Sequence, residues 1–267
     1  MKPSVKEFRR VAIEAAEKGG ATLLKNFGKK PKVSYKGEIN LVTEVDHLSE
    51  KVIVDYLHKN FKEHAILTEE IYSLKKDSEF QWLVDPLDGT TNYSHGFPVF
   101  CISIGLSWRK EIILGLVYQP LLKEMFVVEK GKGAFCNRMK LAVSTTKELN
   151  KSLLATGFPY DIRTSPYNNL DHFCNFAVSA QAVRRAGAAA LDLAYTAAGR
   201  FDGFWEFKLS PWDVAAGILL VEEAGGKVTD FQNRAYDIYR GEILASNGRI
   251  HSEMVKVLKE GKTPVRH

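Results

Sequence analysis

The residues best suited to chemistry are carboxylates placed where secondary-structure elements should end. The richest stretch is Trp82-Leu83-Val84-Asp85-Pro86-Leu87-Asp88-Gly89-Thr90-Thr91-Asn92. An apolar strand runs into Asp85, proline fixes a turn, and a second aspartate follows three residues later. Ligands of α/β folds bind beyond the carboxyl ends of strands. Asp85 and Asp88, with the Leu87 carbonyl between them, would both project there and suit a hard cation. Gly89 lets the backbone approach a ligand closely. Thr90 and Thr91 open a short helix whose N–H groups could face a phosphate.

Four further segments share this placement. In Ser210-Pro211-Trp212-Asp213-Val214-Ala215-Ala216-Gly217, serine suits an N-cap, proline the first helical position, and Asp213 the first turn. The small residues after it imply close packing against that helix. Leu67-Thr68-Glu69-Glu70 puts adjacent acids after a short apolar strand. In Asn40-Leu41-Val42-Thr43-Glu44-Val45-Asp46, Asp46 closes a strand and opens a helix. Arg184-Arg185-Ala186-Gly187-Ala188-Ala189-Ala190 offers cations beside a small-residue helix start. Taken singly, each has an ordinary explanation as a turn, a cap, a solvated helix start or a packing seam. Together they put several acids at element ends, where burying them side by side is costly unless a cation neutralises them.

The elements that must position these residues follow from apolar spacing. Helices are expected over residues 5–27 and 45–60, and extended chain over 33–43 with a turn at Gly37. Ala65 to Leu67 and Phe80 to Val84 read as strands. Residues 99–108, 111–118 and 123–129 read as an antiparallel meander. The second half alternates, with strands at 153–156, 201–207, 226–230 and 242–246 and helices at 168–180, 187–198, 211–224 and the C-terminus. The 267 residues fit one layered α/β domain of two packed halves, dividing near 150–165, where Pro159 to Pro166 is the best boundary.

Composition narrows the chemistry. No apolar run approaches the roughly 18 residues of a membrane helix, and Met1 to Arg10 lacks a signal-peptide core, so a cytoplasmic protein is expected. A net charge of +5 suits phosphate-bearing ligands but is too diffuse to imply nucleic acid. Lys29, Lys30, Lys32 and Lys36 read as a solvated loop. Cys101, Cys136 and Cys174 form no CxxC pair, Cys101 reads as a core thiol, and no HxxxH pair exists among the histidines. A metal here would therefore be held by oxygen, which favours magnesium.

These segments resemble the inositol monophosphatase family. Trp82 to Asn92 is similar to its Asp-Pro-x-Asp-Gly-Thr signature, and Trp212 to Gly217 to its Trp-Asp-x-Ala-Ala-Gly signature. Leu41 to Asp46 and Glu69-Glu70 match its Val-Thr-x-x-Asp and Glu-Glu elements, and Arg184 to Leu191 and Phe201 to Glu206 complete the order. The resemblance implies an αβαβα sandwich of the inositol monophosphatase and fructose-1,6-bisphosphatase type, usually a homodimer. It implies two or three Mg2+ ions, with Mn2+ as a substitute, on Glu69, Asp85, the Leu87 carbonyl, Asp88 and Asp213. It implies that Asp46 and Thr90, with Glu69, orient or activate the attacking water. Phosphate would lie on the Gly89 and Thr90 amides, and Arg185, Ala189 and Glu206, with Asp88 and Asp213, would face the substrate. Thr68 stands where many members have glycine, Asn40 where some have aspartate, and the segment from Ile71 to Gln81 is short.

The expected reaction is hydrolysis of inositol 1-phosphate by water that two metals activate. Fructose 1,6-bisphosphate, alone or as one of two substrates, is the alternative. A regulatory or partner-binding protein that keeps the fold is the alternative of another class.

Overall fold

The computed structural model describes residues 5–29, 33–35 and 41–260. Lys30, Lys32, Lys36, the Gly37 turn and Asn40 fall outside the described residues. Helix α1, Val5–Asn26, buries Phe8, Val11, Ala15 and Leu23 along one stripe. Strands β1, Val33–Tyr35, and β2, Leu41–Thr43, pair antiparallel, and α2, Glu44–Asn60, follows at once. Next come β3, Ala65–Thr68, β4, Phe80–Asp88, and the short α3, Thr90–Ser94.

The expected meander is present as β5, Cys101–Trp108, β6, Glu111–Gln119, and β7, Glu124–Glu129. It continues through β8, Gly133–Cys136, and β9, Met139–Lys140, which the sequence reading missed because both are short and turn-rich. Then follow β10, Leu153–Thr156, α4, Leu170–Ser179, β11, Ala182–Arg184, and α5, Ala189–Ala197. The chain ends with β12, Gly203–Phe207, α6, Pro211–Glu223, β13, Lys227–Thr229, β14, Glu242–Ser246, and α7, His251–Lys259.

Strands β3 to β9 form a seven-stranded sheet in chain order, and the other sheet has the order β11-β10-β12-β14-β13. Three cores show the layers. Phe8 and Val11 of α1 and Ile53 and Leu57 of α2 pack on Trp82, Val84 and Ile102 of the larger sheet. Leu191 and Leu193 of α5 and Val214 and Leu220 of α6 fill the space between Val117 and Phe126 on one side and Phe204 on the other. Phe176 of α4 and Met254 and Leu258 of α7 cover Leu154, Trp205 and Leu244 on the outer face. Neighbouring Phe204 and Trp205 thus face opposite cores, as the two-residue period of a strand requires. The layering is αβαβα, as expected.

The small residues of α6 explain how it lies so close to the larger sheet. A Cβ on Gly115 would stand 2.8 Å from the Ala216 Cα, and one on Gly105 2.9 Å from the Ala215 Cβ. Larger residues at any of these positions would push the helix off the sheet and shift the loop that precedes it.

Candidate active site

The ends of the parallel strands of both sheets meet at one place. β3 and β4 run parallel in the larger sheet, and β10 runs parallel to β11 and β12 in the smaller. Glu69 follows β3, Asp85 and Asp88 lie in the last turn of β4, Arg185 follows β11, and Glu206 lies near the end of β12. All five line one cavity of about 510 Å³, together with Leu87, Gly89, Thr90, Ala189 and Asp213. The structure therefore gathers ten of the eleven expected site residues around one cavity. Asp46 is the exception, 1% exposed and behind Thr90.

Strand β4 does not stop at Asp85, as the turn chemistry suggested, but runs to Asp88. Asp85 pairs with Ser103 and Asp88 with Cys101, so three steps on β4 oppose two on β5. Residues three apart on a regular strand face opposite sides. The bulge inserts one extra residue and turns both aspartates toward the cavity. Pro86 suits that position, because it has no N–H to lose from the ladder. The Asp85 Oδ1 accepts the Leu87 N–H at 2.9 Å and so stiffens the bulge.

Three of the acids also act as helix caps. Asp46 is the third residue of α2, and its Oδ2 accepts the Thr43 N–H at 2.9 Å. Asp213 holds the same place in α6, and its Oδ2 accepts the Ser210 N–H at 2.7 Å. Helix α5 begins after Ala188, which has no side chain to cap it, and the Asp88 Oδ2 takes the Ala190 N–H at 2.8 Å. Capping and site-building are thus the same act. Each helix start brings partial positive charge to an acid that the cavity needs ionised.

That charge is not enough to settle the basin. Burial first, then the charges of Glu69, Asp88 and Asp213, hold the Asp85 carboxyl well above the usual carboxylate range. Burial pushes Asp88 up to about 6. Burial, then Asp88 and Glu69, raise Asp213, whose carboxyl lies within hydrogen-bond reach of Asp85. Among the described residues, no three acidic, imidazole or thiol side chains already form a closed metal cage. The acids instead face one another across a basin. That suits magnesium, which keeps several waters and takes a few carboxylates plus substrate oxygens. The donor set, all oxygen and short of positive charge, fits such a cation.

The Thr90 hydroxyl donates to Asp46 Oδ1 at 2.9 Å, with the Leu87 carbonyl 3.1 Å away. Burial raises the Asp46 carboxyl, while hydrogen bonds from Thr43 and Thr90 oppose that rise. Gly89 has a φ of 93°, and a Cβ there would stand 2.9 Å from the Val99 carbonyl, so this turn requires glycine. Glu206 is held well above its ordinary range by burial and by Asp213 and Asp88, with Arg185 pulling it down. Thr90→Val, which removes the hydroxyl that bonds to Asp46, is expected to lower kcat about 10²-fold with KM little changed. Thr90→Ser should stay within about tenfold of wild type. Steady-state kinetics on the three proteins checks this.

Some cavity residues escaped the sequence reading. Phe158, Pro159, Tyr160 and Asp161 line the mouth, in the very segment read as a boundary. Lys208 stands opposite, in the left-handed region at φ 56°, and its Nζ donates to Asp161 Oδ2 at 2.6 Å and Ser165 Oγ at 2.8 Å. Only a lysine at the end of a strand could have hinted at this. Cys101, fully buried as expected of a core thiol, also touches the site, its Sγ lying 3.6 Å from Asp88 Oδ2. Among the described residues, no helix is long and apolar enough to cross a membrane.

Layered αβαβα sheets thus carry an acidic basin at their parallel strand ends. The inositol monophosphatase family profile matches residues 4–263. An inositol-1-monophosphatase of Synechocystis sp. is 44% identical over 250 residues, 93% of this chain and 87% of its own. The Nus factor SuhB of Escherichia coli K12 is 40% identical over 253 residues, covering 94% of this chain and 95% of its own. The solved inositol monophosphatase of Anabaena (Nostoc) sp. PCC 7120 superposes with a TM-score of 0.87 at 45% identity, over 95% of this chain and 96% of that one. The chain belongs to the inositol monophosphatase family and is a phosphatase.

Proposed function

We propose that the protein hydrolyses inositol 1-phosphate to inositol and phosphate with magnesium. The observation that carries this reading is the convergence of Glu69, Asp85, Asp88 and Asp213 on one cavity with Gly89, Thr90 and Glu206. Glu69, Asp85, Asp88, Asp213 and the Leu87 carbonyl would hold two or three Mg2+ ions, with Mn2+ able to replace them. The bound metal supplies positive charge that acidifies the attacking water and offsets charge on the leaving oxygen.

The chain's own groups do the rest. The Gly89 and Thr90 amides, at the start of α3, receive the phosphate. Thr90 gives its hydroxyl proton to Asp46, which leaves its oxygen lone pairs to accept a hydrogen from the attacking water. Asp46, raised by burial, acts through Thr90 as the proton's destination. It is a positioning residue, because it does not reach the cavity itself. Glu206 and Arg185 face the ester's free hydroxyls beside Ala189. Among the described residues that line the cavity there is no cysteine or histidine, Cys101 lying buried behind Asp88, and direct attack by water on phosphorus is the favoured route. A trapped phosphoenzyme would overturn that route.

The deciding experiment compares magnesium-dependent phosphate release from inositol 1-phosphate and fructose 1,6-bisphosphate. A kcat/KM at least about tenfold higher for the inositol ester, roughly 1.4 kcal/mol, is the expected result. Preference for the bisphosphate would keep the mechanism and change the substrate. Relatives that bear the name Nus factor SuhB, at 40% identity, motivate a second reading as a partner-binding or regulatory protein. Absence of release from either ester by folded protein with magnesium would favour it. A cytoplasmic homodimer belongs to the same proposal, and light scattering in solution tests the dimer.

A further inference from the structure

Glu50 is a carboxylate with 0% exposure that the chemistry above does not use. It lies on α2 one turn beyond Asp46, and Ser49, also at 0%, lies between them. Positions i, i+3 and i+4 share one face of a helix. That face makes three long-range attachments, each to a different segment that carries cavity residues. Asp46 Oδ1 accepts from Thr90 Oγ1 at 2.9 Å. Ser49 Oγ donates to the Pro86 carbonyl at 2.9 Å, in the bulge between Asp85 and Asp88. Glu50 Oε1 accepts the Tyr72 N–H at 2.9 Å, and both its oxygens lie 3.1 Å from the Ile71 N–H.

The last attachment bears on Glu69 and Glu70, which immediately precede these two amides. Ile71 in this turn is 65% exposed, while Tyr72 and Leu74 beyond it pack on the core beneath α1 and α2. Other anchors of the turn include a Thr68 N–H to Ser73 Oγ bond at 2.9 Å, a Glu69 N–H to Val84 carbonyl bond at 3.3 Å and the paired backbone bonds of Ile66 and Leu74. A buried carboxylate is costly unless hydrogen-bonded, and bonds from N–H to an ionised acceptor are about twice as strong as neutral ones. An apolar residue at position 50 would fill the space but leave the turn loose.

We propose that Glu50, assisted by Ser49, is a positioning residue that sets the Glu69-Glu70 turn and the Asp85–Asp88 bulge at a common distance for a divalent cation. Helix α2 is then one rigid strut that carries the proton relay and both metal-holding turns. This rests on the reading of the basin as the metal site.

The test uses the full chain as Glu50→Ala, Glu50→Gln and Ser49→Ala. Mg2+ binding is measured by calorimetry without substrate, alongside the Mg2+ concentration for half-maximal phosphate release. Glu50→Ala is expected to weaken Mg2+ binding at least about tenfold in both measurements, with kcat at saturating Mg2+ within about threefold of wild type. Glu50→Gln should fall between, because its carboxamide oxygen still accepts from Tyr72 while its NH2 faces the Ile71 N–H. A role confined to stability would lower the melting temperature of the metal-free protein and leave the Mg2+ affinity unmoved, and that result overturns the proposal. Should Glu50→Ala fail to fold, Ser49→Ala decides, with unchanged Mg2+ affinity counting against the strut. If wild-type protein itself binds no Mg2+, the reading of the basin falls first. If wild type binds Mg2+ and the variants bind it equally, only the strut falls.

Discussion

Asp88→Asn is expected to lower kcat/KM by at least about 10²-fold while leaving the metal-free protein no less stable. Asparagine keeps an oxygen to accept the Ala190 N–H, so the start of α5 stays capped. It removes one of several mutually repelling charges from a buried basin, which is a net relief when no cation is present. It also removes the charge that a cation needs. Activity and metal-free melting temperature should therefore move in opposite directions, or activity alone should fall. Full activity in Asp88→Asn would remove this residue from the metal site. A sharp loss of stability would show that its cap matters more than its charge. Phosphate-release kinetics and melting curves in a chelator read both quantities.

Magnesium should raise the melting temperature by about 5–10 °C at pH 8 and by much less at pH 5. At about 100 times its Kd, a ligand adds roughly 2.7 kcal/mol, and 1 kcal/mol moves a chain of this size by about 2–4 °C. The pH dependence follows from Asp88, whose carboxyl shifts from an ordinary 3.8 up to about 6 in the fold. A raised carboxyl binds its proton more tightly when folded. Its contribution to stability is thus fully present below about pH 4 and is lost as pH rises through about 6. Asp85 and Asp213 shift in the same direction and add to this loss. Above that window the metal-free protein carries unneutralised acids, and deprotonated ligands would favour the cation. Below it, protons occupy the places that magnesium would take. Melting curves across pH 5 to 8, with and without Mg2+, test the sign. An equal shift at both ends would mean that magnesium binds away from these acids.

The local chemistry of the chain was a good guide wherever a residue's role begins with its own neighbours. Asp46 and Asp213 could be placed at helix starts because Thr43 and Ser210-Pro211 announce those starts. The cap half of each reading is present, since one carboxylate oxygen of Asp46 and of Asp213 accepts the N-cap N–H, and Asp213 also lines the cavity. Long strands and amphipathic helices were legible because burial of one face imposes a period.

What the sequence by itself determined is the set of acids, their attachment to element ends and the alternation that yields layered sheets. Only the tertiary structure decided which way they point and what else they meet. The β4 bulge depends on register with β5, a pairing between chain segments that no local pattern records. The mouth segment at Phe158 to Asp161 lies beside Lys208 because β10 and β12 are neighbours in the sheet, though about 50 residues apart in the chain. The polar face of α2 was hidden for a different reason. Ser49 and Glu50 look like solvent-facing helix residues until folding buries them against carbonyl and amide groups of remote loops. A buried hydrogen bond satisfies two partners at once, and a sequence shows only one of them at a time.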